Sequence, residues 1–181
     1  TAARLLHAAA ARRGQIEDML LAIRRLEAGR AASVGYLAPV WRLMAASGRR
    51  DEARAEAVRS REVPADAGTA ARYVEVLRYL GLRDEARGFL DANLAAYGTA
   101  PEVWRAYFEL LVEAGNWNEV RRISANARMT SSRSDPLLAE ALFAEYQAAQ
   151  AQDRRPDAGE SVQQLLAVPQ PDPELVLRVS A

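Results

Sequence analysis

The chemistry open to this chain is set first by what it lacks. His7 is the single histidine, cysteine is absent, and all 24 basic residues are arginine, with no lysine among them. Without cysteine there are no disulfides, thiolate metal sites or thiol nucleophiles. Without lysine there is neither Schiff-base chemistry nor a P-loop cation. A Ser/His/Asp arrangement would have to bring His7 to a nucleophile, yet no G-x-S-x-G elbow occurs, and Ser131-Ser132 lie in the polar run Thr130 to Ser134, which reads as a loop. Glu109 and Glu113 fall one helical turn apart on one face, a spacing that permits acid/base work but ordinarily makes a solvated or arginine-paired face. No metal-ligand cluster is present. The expectation is a protein that is not an enzyme, with no cofactor, no metal and no small-molecule substrate.

Arginine pairs are the remaining chemical feature: Arg12-Arg13, Arg24-Arg25, Arg49-Arg50, Arg121-Arg122 and Arg154-Arg155. Arginines of this kind can hold phosphate, and helical repeats can read RNA. Here 24 cations meet 24 carboxylates and the net charge is zero, so the electrostatic footprint that phosphate binding needs is missing. Nucleic acid is therefore an alternative partner and not the expected one.

The elements that carry these side chains follow from composition and spacing. Alanine (38), arginine (24), leucine (21) and glutamate (15) make up more than half of the 181 residues, and all are strong helix formers. Four glycines, Gly14, Gly48, Gly81 and Gly115, recur at spacings of 34, 33 and 34, the period of a helical hairpin. The neighbouring sequence repeats as well: Gly48-Arg49-Arg50-Asp51-Glu52-Ala53-Arg54 is echoed by Gly81-Leu82-Arg83-Asp84-Glu85-Ala86-Arg87, and more loosely by Gly115 to Arg121. A glycine there can adopt the left-handed conformation that ends a helix. Asp51, Asp84 and Asn118 are then expected to cap the helix that follows.

Apolar residues before each glycine sit at helical spacing: Leu37, Val40, Trp41 and Met44; Tyr73, Val74 and Leu77; Trp104, Tyr107, Phe108 and Leu111. After it come small or apolar partners: Ala53 and Ala57, Ala86 and Leu90, Val120 and Ile123. Large side chains of a first helix thus face small ones of a second.

On these residues the chain resembles a tetratricopeptide repeat (TPR) array. From Pro101 to Ser134, Trp104, Tyr107, Phe108, Leu111 and Gly115 fall where that family has its aromatic, packing and turn residues. Ser60 and Asn93 stand where the family has a late alanine, and Ser124 where it has a large apolar residue. The resemblance implies an all-α, right-handed α-α superhelix of about five helical hairpins. The repeats are expected at about 1–33, 34–66, 67–100, 101–135 and 136–172, with a sixth starting at 173–181. In the fifth, Gln152-Asp153-Arg154-Arg155-Pro156 replaces the glycine turn, and about three extra residues are assigned to that turn.

The same resemblance implies a non-catalytic scaffold that takes a protein or peptide partner on a concave face built from first helices. The residues off the packing stripe there are Arg42, Arg72, Glu75, Arg78, Tyr79, Arg105, Glu109 and Glu113, with Glu140 and Gln147 further on. Arg105 and Glu109 are spaced for an i,i+4 pair. The carboxylate-clamp subclass, which holds chaperone tails with lysine and asparagine, is not expected, because Arg42, Glu75 and Glu109 occupy the relevant places. Degenerate arrays rich in alanine and arginine also resemble the periplasmic parts of bacterial exopolysaccharide-export proteins, which favours the periplasm over the cytoplasm. An architectural spacer with no ligand is the other alternative. No apolar run reaches the ~20 residues of a membrane span. The chain is expected to be a piece of a longer protein truncated at both ends, able to self-associate through Leu5, Leu6, Leu175 and Leu177.

Overall fold

The computed structural model describes residues 34–60, 63–130, 135–169, 173, 176 and 177. The first expected repeat with His7, Leu5, Leu6 and Gly14, the pair Ser131-Ser132, and Leu175 lie outside the described residues. The chain divides into two compact units, Thr1–Asn93 and Leu94–Ala181.

In the first unit, α1 (Val34–Ala46) and α2 (Arg50–Arg59) form one hairpin, and α3 (Ala67–Leu80) and α4 (Arg83–Asn93) form the next. The first helices α1 and α3 pack side by side. Val40, Trp41, Met44, Val74, Leu77 and Leu80 are buried between them and against Ala53, Ala57, Ala86 and Leu90. The alanines let the paired helices approach, so the larger side chains are shielded from water between them. Tyr73 sits at the centre, its ring 6.1 Å from Trp41 and edge-on to Phe89 at 5.0 Å.

In the second unit a 3-10 turn (Leu94–Tyr97) leads to α5 (Pro101–Glu113), α6 (Trp117–Thr130), α7 (Pro136–Ala151) and α8 (Arg155–Leu166). α7 is the hub, contacting α5, α6 and α8. Trp104 braces the entry, its indole N–H donating to the Gly98 carbonyl at 2.9 Å while the ring packs on Tyr107 and Phe108. Ala139, Leu142, Phe143, Leu165 and Val168 close the core around the last hairpin.

One turn geometry recurs. After α1, α3, α5 and α7 the chain makes the same six-residue closure: Arg49 N–H to Met44 O at 2.9 Å, Leu82 to Leu77 at 2.8 Å, Asn116 to Leu111 at 2.8 Å and Arg154 to Ala149 at 2.8 Å. Each passes through a residue of positive φ, namely Gly48, Gly81, Gly115 and, in place of glycine, Asp153 at φ 52°. The fifth hairpin therefore keeps the turn without the glycine that marks it elsewhere. Its three additional residues lengthen the first helix instead: α7 has 16 residues where α5 has 13, and both open on proline.

One local expectation is corrected. Asp51, Asp84 and Asn118 are not N-caps, because α2, α4 and α6 each begin one residue before them; they sit in the first turn, where the carboxylates of Asp51 and Asp84 still meet unpaired amides. Side-chain caps among the described residues include Asp66, accepting from Thr69 N–H at 2.8 Å, and Asp135, accepting from Leu137 N–H at 2.9 Å. The residues that depart from the repeat pattern have local uses. Ser60 and Asn93 lie where α2 and α4 end, and the Asn93 amide donates back to the Phe89 carbonyl at 2.8 Å. Ser124, wholly buried, donates to the Ala141 carbonyl at 3.1 Å, bringing α6 close against α7.

Candidate protein-interaction surface

The polar faces of the first helices can now be built residue by residue. In the first unit, Arg42 on α1 and Glu75 on α3 are 33 residues apart, one repeat, and their side chains meet at 2.9 Å with both more than half exposed. Arg42 also lies over the ring of Tyr79, 5.4 Å from its centroid, and Arg50 from the start of α2 lies 5.5 Å from the same centroid. Arg50 is held in place by donating to the Tyr79 carbonyl. Tyr79 is 40% exposed, so the α1–α3 face presents an accessible phenol with two guanidinium groups close to its ring, a contact favoured by the negative charge on the ring face. Arg72 is exposed one turn inside α3 and donates to the Thr69 hydroxyl at 3.2 Å, while Arg78 is half-buried.

In the second unit the corresponding face carries Arg105, Glu109 and Glu113, of which Glu113 is exposed and the other two half-buried. The Arg105 guanidinium reaches from α5 to Glu140 on α7, 35 residues on, donating through Nε at 3.0 Å and Nη2 at 2.7 Å to one carboxylate oxygen. Glu140 is only 3% exposed. Placed at sequence level among the outward residues, it is instead an internal acceptor. In both units the polar positions of one first helix are thus tied to those of the next.

The sequence named Arg50 only as one of an arginine pair and did not show its contact with Tyr79 or the burial of Glu140. Either partner lies about one repeat away from the residue it serves, beyond the range of any local pattern. Only the recurrence of the 33–35-residue period held a trace of them.

Elsewhere the cations are largely neutralised by neighbours: Arg49 by Glu52, Arg87 by Asp91, Arg122 by Glu119, Arg128 by Glu145, Arg154 by Asp157 and Arg155 by Asp153. The Glu119 carboxylate beside Arg122 raises that guanidinium's pKa above its ordinary value. The Thr69 hydroxyl and amide hold the Asp66 carboxyl below the usual carboxylate range. Burial, with the Glu85 charge nearby, pushes the Tyr73 phenol up. Among the described residues no cluster of three or more histidine, cysteine, aspartate or glutamate side chains is placed to hold a metal ion. Nor is any helix among them long and apolar enough to cross a membrane.

Helical hairpins turned by left-handed residues, with large side chains set against small ones, define an all-α repeat protein of TPR-like fold. Among solved structures the chain is similar to the crystal structure of YrrB, described as "a TPR protein with an unusual peptide-binding site"; the likeness covers 98% of this chain and 88% of that one, with a TM-score of 0.57 and 16% sequence identity. At that identity the likeness shows the fold alone. No protein-family model matches the sequence, and no curated protein matches it.

Proposed function

We propose that the chain is a non-catalytic protein-interaction scaffold whose first helices receive a peptide or a segment of a partner protein. The observation that carries this reading is the exposed Tyr79 ring flanked by Arg42 and Arg50 on the α1–α3 face. A tyrosine with accessible area and pre-placed cations offers contact surface at little conformational cost, the character of an interaction hot spot. Arg72, Glu75 and Arg78 extend that surface along α3, and Arg105, Glu109 and Glu113 are the residues proposed for the second unit. The peptide-binding site described for YrrB, a structural neighbour, supports a partner of the same kind.

The widespread pairing of arginine with local carboxylates weighs against RNA, since a guanidinium already neutralised releases few counterions on binding phosphate. A role within a bacterial envelope or polysaccharide-export assembly belongs to this proposal only through the compositional resemblance, and fractionation of the full-length protein tests it. The interaction reading itself is tested by Arg72→Glu and Tyr79→Ala, both at exposed positions. Each is expected to weaken capture of a native partner protein while helicity by circular dichroism stays unchanged. Arg105→Glu is a poor probe, because it would set a carboxylate against buried Glu140. Undiminished capture by both variants would refute the assigned surface and leave the spacer reading.

A further inference from the structure

A cleft of about 170 Å³ opens in the second unit between α6, α7 and α8, away from the residues assigned to partner binding. Its charged lining consists of Arg121 and Arg128 from α6, Glu145 from α7, and Arg154, Asp157 and Glu160 at and within the start of α8. Two of the three possible ion pairs are made: Arg128 with Glu145, and Arg154 with Asp157 at 2.7 Å. The third is not. Arg121 donates to the neutral side-chain carbonyl of Asn118 at 2.5 Å, and Glu160 accepts from the neutral amide of Gln164 at 2.9 Å. Among the described residues neither meets an opposite charge, although both line the same small space. A polar group also lies at its edge: Ser161, 5% exposed, lines the cleft and makes no side-chain hydrogen bond to any described residue.

We propose that this cleft binds a ligand bearing one anionic and one cationic group a few bonds apart, the anion against Arg121, the cation against Glu160, and Ser161 hydrogen-bonding to either. The inference is independent of the peptide-scaffold reading. The lining as a whole is electrically neutral, so a simple anion or cation would gain at one end and be repelled at the other, whereas a zwitterion satisfies both. The volume is below the ~300–1,000 Å³ of pockets for drug-sized ligands, which restricts the occupant to something the size of a small α-amino acid or a pair of side chains. Because Glu160 is exposed and water screens its charge, binding is expected to be weak and sensitive to salt.

The test is a titration of the whole ¹⁵N-labelled chain at low ionic strength, followed by amide chemical shifts. Glycine supplies both charges; acetate and methylammonium supply one each. Glycine is expected to move resonances of α6, α7 and α8 saturably, with acetate and methylammonium at equal concentration producing much smaller shifts. Arg121→Gln and Glu160→Gln, each removing one screened charge-assisted contact, should weaken glycine binding by about two- to fivefold while leaving circular dichroism unchanged. N-acetyl-Glu-Arg-amide carries the same charges on side chains; tighter binding than glycine assigns the ligand to a protein segment, and weaker binding to a free amino acid. Absence of saturable shifts with both zwitterions, equal binding of acetate, or unchanged affinity in both variants would overturn the proposal.

Discussion

Glu140 lies on α7, 35 residues beyond Arg105 on α5. Its carboxylate is removed from water and held by Arg105, which is itself about a quarter exposed. Truncation in Glu140→Ala takes away the internal acceptor, but the guanidinium can swing partly into solvent, so the expected loss is about 1–3 kcal/mol rather than the larger value of a fully enclosed pair. Urea unfolding of that variant beside Glu75→Ala checks it, because the exposed Arg42–Glu75 pair should change stability by less than about 1 kcal/mol. Tyr73 gives a second residue-scale expectation. Burial raises its phenol above its ordinary pKa of 10.0, so the folded state holds the proton more tightly than the unfolded one. The stability it contributes is complete below pH 10 and declines as pH rises from there through the folded value. Tyr73→Phe keeps the packing on Trp41 and Phe89, and should flatten the alkaline loss of stability seen in denaturant midpoints between pH 9 and about 11. Neither effect was legible beforehand: period and stripe placed Tyr73 in the core, but only a neighbour one repeat away makes Glu140 an inward residue.

The four closures after α1, α3, α5 and α7 belong to the scale of the element. Three use glycine, and the spacing of those glycines revealed the hairpins, because few other residues accept positive φ at small cost. The fourth was hidden because Asp153 performs the same task without the usual marker. A non-glycine residue in the left-handed region carries a penalty of roughly 1 kcal/mol, lower for aspartate than for branched residues. Asp153→Gly is therefore expected to leave stability unchanged or raise it by no more than about 0.5 kcal/mol, the relief of strain being largely offset by the added freedom of the unfolded chain. Gly81→Ala, at φ 80°, should destabilise by a larger amount. Thermal melts of the two variants run side by side test the sign directly. The lengthening of α7 escaped sequence reading for a related reason: with no glycine to mark the end of the helix, three extra residues could be counted into the turn. Caps were placed two residues late because the acidic residues of a first turn and an N-cap share the same side chains and differ only in register.

For the molecule as a whole, the fold was the most legible property, since the repeat period, the helix-forming composition and the alternation of large and small stripes all point to stacked hairpins. The surface was less so. A list of polar positions on first helices could be written down, including Arg42, Arg72, Glu75, Tyr79, Arg105 and Glu109, but not which of them would be tied to the next repeat and which would remain open to a partner. Within the first unit that sorting leaves the Tyr79 ring, with Arg42 and Arg50 close by, as the centre of the proposed interaction surface. Site-specific photocrosslinking in cells tests it most directly. A photoreactive phenylalanine analogue at Tyr79, compared with one at the exposed Ala55 on second helix α2, is predicted to trap a discrete protein partner from position 79 and not from position 55. The absence of any adduct at 79, or the same adducts from both positions, would contradict the scaffold account.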